Sequence, residues 1–237
     1  MGEIVLAAKV THVPTMLMSE QPGPVEGKRQ PAINGHYEIA RRAKALGATT
    51  AIVCDTHWVI NAGFHINANN RFEGLFTSNE FPHFIQNLPY AYEGNPEMGD
   101  AIAREATERG AFTLAHHLDS LELEYGTLVP MRFMSREHDM KVVSVAAWCT
   151  VHGHDESRIV GEAIRAAVET SDEKVLLLAS GSLSHKIWAN KDYAALVDDF
   201  INLKILPSDC NRAKVVPLMD KALSPYVKGG GAKRYEA

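Results

Sequence analysis

Short apolar runs alternate with amphipathic segments along most of this chain of 237 residues, and this alternation limits the possible folds most strongly. The runs are rich in Val, Ile, Leu and Ala and have no polar face, so they predict strands that are buried on both sides. They lie at residues 4–10, 49–54, 111–115, 141–149 and 174–180. Strands that alternate with helices predict an α/β fold, here a single domain with a central mostly parallel or mixed sheet flanked by helices.

Three segments between these runs have the period and the end signals of helices. The first covers residues 32–46. In the second, Asn95 is placed to cap a helix that Gly110 ends. In the third, Asp155 is predicted to cap a helix with an apolar stripe that runs from Ile159 to Val168. Such helices can cover both faces of a sheet.

The charge and the cysteines exclude several classes of protein. A net charge of −5 and a pI near 6.1 argue against binding to nucleic acid or to an anionic membrane, since both require clustered Lys and Arg. No apolar run approaches the roughly 18 residues of a membrane helix, and no signal peptide is indicated. Cys54, Cys149 and Cys210 have neither metal-binding nor disulfide-framework spacing. We therefore expect a cytoplasmic protein that acts on small molecules.

Histidines follow the predicted strands, at the points where ligands bind in open α/β sheets. They are His12, His57, His116, His117, His152, His154 and His185. A single histidine after a strand is most often an ordinary loop residue, but histidines after five strands are harder to dismiss. If the strands run the same way, these side chains gather along one edge. We retain His12, His57 and His185 as the strongest candidates for a site.

The chemistry of these residue types points to a metal ion. Neutral imidazoles suit Fe, Zn, Cu or Ni, and two of them with one carboxylate leave coordination positions for substrate and dioxygen. Asp55 lies two residues before His57 and could orient a metal ligand or a substrate hydroxyl from outside the coordination sphere. It could equally be an aspartate that only forms a turn.

Several longer motifs resemble the class III extradiol ring-cleavage dioxygenases, the LigB-like superfamily. They occur in the order AAKVTHVPTM, CDTHW, FEGLFTSNEFPHFI, YEGNPEMG, LEYGTLVPM and LASGSLSH, and the resemblance covers roughly residues 3 to 190. The resemblance implies a non-heme Fe(II) enzyme that cleaves a catechol with O2. The substrate it implies most specifically is 3,4-dihydroxyphenylacetate, which would be opened to 5-carboxymethyl-2-hydroxymuconate semialdehyde.

The same resemblance implies roles for individual residues. His12, in THVP, matches the first iron ligand, and His57, in DTHW, matches the second. His185, in GSLSH, matches a histidine that acts as acid and base outside the coordination sphere. His116, in AHHLDS, aligns less securely with another active-site histidine near the substrate. Arg132 and Lys186 are candidates to bind the substrate carboxylate. Relatives are commonly homo-oligomeric.

The chain departs from the family pattern after about residue 200. The family's third iron ligand is a glutamate near the end of a longer chain, and no carboxylate here has a matching context, so the third ligand is unknown. Residues 1–200 are interpreted as a LigB-like catalytic domain, incomplete at its C-terminal end. Residues 201–237 are interpreted as a divergent tail that arises from a shifted frame or a truncated gene, or else as a surface extension. This segment has 7 Lys and Arg against 3 Asp and Glu.

Two alternative functions stay open at this point. One is a non-catalytic metal-binding or subunit-like protein with the LigB fold, which the missing glutamate favours. The other, ranked last, is a zinc hydrolase that uses the same histidines. Oxygen uptake that depends on iron separates ring cleavage from both.

Overall fold

The computed structural model describes residues 1–137, 139–147 and 153–181. The chain divides after Leu183 into two units, and every described residue belongs to the first unit. Eight strands are present in the described ranges: β1 Glu3–Val10, β2 Thr50–Asp55, β3 Phe64–Asn67, β4 Arg71–Phe76, β5 Leu88–Glu93, β6 Thr113–His116, β7 Lys141–Ala146 and β8 Lys174–Ser180. The helices of the same ranges are α1 Thr15–Ser19, α2 Gln30–Ala45, α3 Pro96–Glu108, α4 Tyr125–Met134 and α5 His154–Glu169.

The central sheet has the strand order β1-β8-β2-β7-β3-β6, and β4 pairs with β5 in a separate hairpin. The strands β1, β8, β2 and β7 are parallel to one another, whereas β3 is antiparallel to β7 and β6 is parallel to β3. The predicted mixed sheet flanked by helices is therefore confirmed. The histidine-bearing strands do not all run in the same direction, because β6 is antiparallel to β1, β2 and β8.

Helices cover both faces of this sheet because its central strands are apolar on both sides. Side chains of α2 and α4 pack with Ala51 and Val53 of β2 on one face. Side chains of α3 and α5 pack with Ile52 and with Val143 and Val145 of β7 on the other. The site described below lies on the α4 face, where polar side chains replace apolar ones toward the ends of β2 and β8.

The helix end signals were partly predictive. Asn95 caps α3 by accepting a hydrogen bond from the Met98 N–H at 3.1 Å, and Gly110 follows the helix with φ +95, as expected. The prediction that Asp155 caps α5 is wrong, since that helix already begins at His154. The Glu156 side chain accepts instead from the Gly153 N–H, 3.0 Å away, so Asp155 lies in the first turn.

Several interpretations of the sequence concern residues that the structure does not describe. His185, Lys186, His152, Cys149 and the segment 201–237 all lie outside the described residues. The domain boundary near residue 200 and the origin of the tail therefore stay predictions. Across the described ranges, no helix has the length and apolar character needed to cross a bilayer.

Candidate functional site

The first two candidate histidines meet because their strands are close neighbours. Strand β8 lies between β1 and β2, and Ser180 at its end pairs in register with both Val10 and Asp55. The chain continues from these ends to His12 and His57, whose ring centroids are 4.7 Å apart with an angle of 84° between the rings. Two imidazoles therefore converge at the carboxyl edge of three parallel strands, as the sequence predicted.

The orientation of the His12 ring is fixed by Ser180. The Ser180 Oγ–H donates to the carbonyl of Gly126, so its oxygen is left to accept the hydrogen bond from His12 Nδ1 at 2.8 Å. Neutral His12 is then the Nδ1–H tautomer, with its lone pair on Nε2. A hydrogen bond that sets the tautomer in this way is typical of a metal-ligating histidine. His12 is buried, with 4% of its surface exposed.

Asp55 holds the segment that carries His57. Its carboxylate is fully buried and accepts from the His57 N–H and from the Thr127 hydroxyl, each at 2.7 Å. Thr127 in turn lies 3.0 Å from the Ser144 hydroxyl, which can donate to it. Burial raises the pKa of Asp55, whereas these hydrogen bonds and that from the Trp58 N–H act against the rise. Asp55 thus positions His57 through its backbone, not through its ring.

Helix α4 approaches Asp55 very closely because its second residue is Gly126. A Cβ atom at this position would lie 2.1 Å from Asp55 Oδ1, which no side chain can do without displacing the carboxylate. The close approach also places the carboxylate at the positive end of the helix dipole. Glycine is therefore required at residue 126 for the contact between α4 and β2.

Tyr125 and Glu80 complete the wall beside His57. The Tyr125 hydroxyl donates to Glu80 Oε2 at 2.8 Å and lies 2.6 Å from His57 Nδ1 and 2.8 Å from its Nε2. Glu80 Oε2 is 3.1 Å from His57 Nδ1, so it can pair with a protonated ring. Burial and the Glu80 carboxylate raise the pKa of Tyr125 well above its usual value. The phenol therefore stays neutral and can donate a proton in a hydrogen bond at neutral pH.

Glu124, which precedes the first residue of α4, is a half-buried acid beside this wall. Burial, followed by the negative charges of Asp55, Glu122 and Glu80, raises its pKa to about 7. Its folded-state pKa lies above the ordinary value of 4.5, so the folded protein holds this proton over a pH range in which the unfolded chain has lost it. The contribution of Glu124 to stability is therefore complete below pH 4.5 and declines as the pH rises to about 7.

We expect Glu124→Gln to remove this decline. Between pH 4.5 and pH 8, the free energy of unfolding should fall by about 1 to 2 kcal/mol more in the unmodified protein than in the variant. This figure allows for the partial exposure of Glu124. Urea unfolding of the metal-free protein at several pH values measures the difference. Glu122→Gln, which removes an exposed carboxylate from the same segment, should retain most of the pH dependence. Equal slopes in the two variants would contradict the assignment to Glu124.

His116 does not join the two strand-end histidines directly. It ends β6, which runs opposite to β1 and β2, and its Nε2 lies 2.9 Å from Nδ1 of His65. Trp58, the residue after His57, connects the two regions, since its ring centroid is 6.1 Å from those of both His65 and His116. Burial, followed by the charges of His65 and His117, lowers the pKa of His116.

Of the candidates for the substrate carboxylate, Arg132 already has an anionic partner. Its Nε donates to Glu20 at 2.7 Å, and both side chains are partly buried. His36, which follows none of the predicted strands, is buried and hydrogen-bonds to the carbonyls of Ala32 and Thr11. His36 fixes α2 against the loop that carries His12.

Comparisons with known proteins identify the family of the chain. Residues 6–209 match the family described as the catalytic LigB subunit of aromatic ring-opening dioxygenase. The chain belongs to the LigB family. It is 54% identical over 186 residues to a 3,4-dihydroxyphenylacetate 2,3-dioxygenase from Escherichia coli, across 78% of this chain and 67% of that protein. The match confirms the resemblance, the fold class and a metal-dependent ring-opening dioxygenase.

Two further proteins are more distant. The chain is 26% identical over 198 residues to the 2-aminophenol 1,6-dioxygenase beta subunit from a Pseudomonas species, across 78% of this chain and 63% of that subunit. The crystal structure of an uncharacterized protein from Escherichia coli K12 has a TM-score of 0.47 and 14% identity, over 73% of this chain and 65% of that one. The chain spans about two thirds of the length of its curated relatives.

The residues fit part of the metal site that the LigB family requires. His12 and His57 are imidazoles of the right type, they converge, and His12 has its tautomer set by a hydrogen bond. Within residues 1–137, 139–147 and 153–181, no three His, Cys, Asp or Glu side chains are arranged to hold one ion. The described residues thus include two candidate ligands and no third.

Sequence reasoning missed the side chains that support these histidines. Glu80, Tyr125, Thr127 and Ser180 each lie inside a motif that carried the LigB resemblance, namely FEGLFTSNEFPHFI, LEYGTLVPM or LASGSLSH. The motifs were used to recognise the family, and no role was assigned to these positions. Ser144 and His65 carried no such signal, because only the strand pairing brings them beside Thr127 and His116.

Proposed function

We propose that this LigB-family chain cleaves a catechol at the extradiol position with O2 and Fe(II). The preferred substrate is 3,4-dihydroxyphenylacetate and the product is 5-carboxymethyl-2-hydroxymuconate semialdehyde. The convergence of His12 and His57 at the ends of adjacent parallel strands carries the proposal. The 54% identity to a dioxygenase named for this substrate supports the choice of catechol.

In this proposal His12 and His57 hold the iron, and the third ligand is unassigned. When bound, Fe(II) brings the catechol and O2 together, lowers the pKa of the catechol hydroxyls and allows electron transfer between the two. Ser180 keeps the Nε2 lone pair of His12 directed for ligation through the hydrogen bond at Nδ1. Asp55 keeps the His57 backbone in place.

The remaining side chains have roles in proton handling. Tyr125 is a neutral phenol beside His57; its hydroxyl donates to Glu80, and its oxygen is left to accept a hydrogen bond from a catechol hydroxyl. We assign His185 as the acid and base that takes a catechol proton and returns it later, on the basis of its GSLSH motif. His116 is proposed to act near the substrate.

The setting of the enzyme is part of the same proposal. We infer a cytoplasmic homo-oligomer whose partners are a catechol and O2, in the breakdown of aromatic compounds. Burial raises the pKa of the Cys54 thiol to about 11, so this cysteine is kept in its unreactive neutral form. A 2-aminophenol is the nearest alternative substrate, since a more distant relative is named for one.

The test is oxygen consumption by the full chain after anaerobic loading with Fe(II). With 3,4-dihydroxyphenylacetate we expect one O2 consumed for each yellow semialdehyde formed. The isomer 2,5-dihydroxyphenylacetate is the matched control, because its hydroxyls are too far apart to chelate one ion. Zinc-loaded protein should be inactive in both the oxygen assay and ester hydrolysis. Iron-bound protein that consumes no O2 would reject the proposal in favour of a non-catalytic relative.

A further inference from the structure

His65 and His116 form a directly bonded pair on the α4 face of the sheet. Strands β3 and β6 are parallel, with His65 opposite Leu114 and Asn67 opposite His116, so the two histidines lie on one face, two positions apart. Their ring centroids are 4.9 Å apart with 28° between the rings, and His116 Nε2 lies 2.9 Å from His65 Nδ1. The pairing is therefore built into the register of β3 and β6.

The direction of this hydrogen bond follows from the other nitrogen of His65. His65 Nε2 lies 3.1 Å from the carbonyl oxygen of Ala62, which can only accept, so Nε2 carries the proton. A neutral imidazole has one N–H, and Nδ1 of His65 must then accept. The N–H in the bond between the rings consequently belongs to His116 Nε2. This leaves the lone pair of neutral His116 on Nδ1.

The surroundings keep this arrangement in place. The Trp58 ring meets both imidazoles edge-on. Trp58 follows His57 in the chain, and its backbone N–H donates a hydrogen bond to the Asp55 carboxylate. Burial and the neighbouring imidazoles favour the neutral form of His116. A neutral imidazole with one defined basic nitrogen is what a general base requires.

We propose that His65 is a positioning residue that holds His116 as the Nε2–H tautomer, so that Nδ1 of His116 is the nitrogen that exchanges protons or hydrogen bonds with the substrate. The proposal rests on the proposed ring-cleaving function, in which His116 acts near the catechol. His65 itself does not touch the substrate. Its role is comparable to that of any group that selects one tautomer of a catalytic histidine through a hydrogen bond.

The first experiment reads the tautomer without any metal or substrate. Long-range ¹H–¹⁵N spectra of the full chain with labelled histidine should show neutral His116 protonated at Nε2. His65→Asn places an amide oxygen where Nδ1 was and should keep this tautomer, whereas His65→Leu should allow the Nδ1–H form. His117→Asn removes the next imidazole, whose partner is Asp100, and should leave the His116 tautomer unchanged. Wild-type His116 protonated at Nδ1 would overturn the proposal whatever the variants do.

The second experiment measures turnover of 3,4-dihydroxyphenylacetate by iron-loaded protein. His65→Leu should lower kcat by about 100-fold, the low end of what a positioned proton-transfer group contributes, with a much smaller change in KM. His65→Asn should recover most of this loss. Equal losses in both variants would indicate a packing role only and reject the proposal. If the wild type shows the expected tautomer but no ring cleavage, the proposed function fails and the tautomer control by His65 stands.

Discussion

Replacement of His57 by alanine is expected to abolish turnover of 3,4-dihydroxyphenylacetate and to weaken iron binding by more than about 100-fold. Loss of a group that merely supports a metal ligand already costs about 10- to 100-fold in affinity, and His57 is proposed as a ligand itself. The backbone of residue 57 should keep its bond to Asp55, so the fold should change little. Anaerobic titration with Fe(II), together with oxygen uptake, measures both effects.

The matched control for this substitution is His117→Ala. His117 is an exposed imidazole that pairs with Asp100 on α3, away from the ends of β1 and β2. Its removal should leave iron affinity and oxygen uptake within about twofold of the unmodified protein, as expected for surface substitutions. Iron bound as tightly in His57→Ala as in the control would show that His57 is not a ligand, and would contradict the proposed site.

The second large effect is expected for Gly126→Ala. The added methyl group would lie 2.1 Å from Oδ1 and 2.6 Å from Cγ of Asp55, which is buried and held by hydrogen bonds from Thr127 and His57. Overpacking of this kind costs about 1–3 kcal/mol, and each buried donor that loses its acceptor costs about 1–3 kcal/mol more. With two such donors, we expect the free energy of unfolding in urea to fall by at least about 3 kcal/mol.

The same substitution should also weaken iron binding, because displacement of Asp55 releases the backbone of His57. Gly161→Ala in α5 is the control, since a methyl group there meets nothing within 4 Å. A glycine inside a helix costs about 0.5–1 kcal/mol relative to alanine, so this variant should be slightly more stable than the parent. If Gly126→Ala changed neither the free energy of unfolding nor the iron affinity, α4 could move away from β2 without consequence for the site, and the prediction would be wrong.

Much of the fold could be predicted because the relevant signals are local. The strands β1, β2, β6, β7 and β8 are continuous apolar runs, and the predicted helices correspond to α2, α3 and α5. Helix α4 was missed because nine of its ten residues are buried and it contains Pro130, so it has neither a polar face nor a helical period. The short strands β3, β4 and β5 were missed as well, since β3 has only four residues, β4 contains a glycine and β5 contains a proline.

The candidate site, like the fold, was predicted from the sequence only in part. By itself the sequence determined which residue types stand at the ends of apolar runs, and it predicted metal or proton chemistry for His12, His57 and Asp55. Only the tertiary structure decided that Ser180 sets the tautomer of His12, that Asp55 binds the backbone of residue 57, and that His65 bonds to His116. These contacts join residues that are distant in sequence, except within the Asp55 turn. Hydrogen bonds depend on distances of about 3 Å, and strand order, direction and register fix such distances.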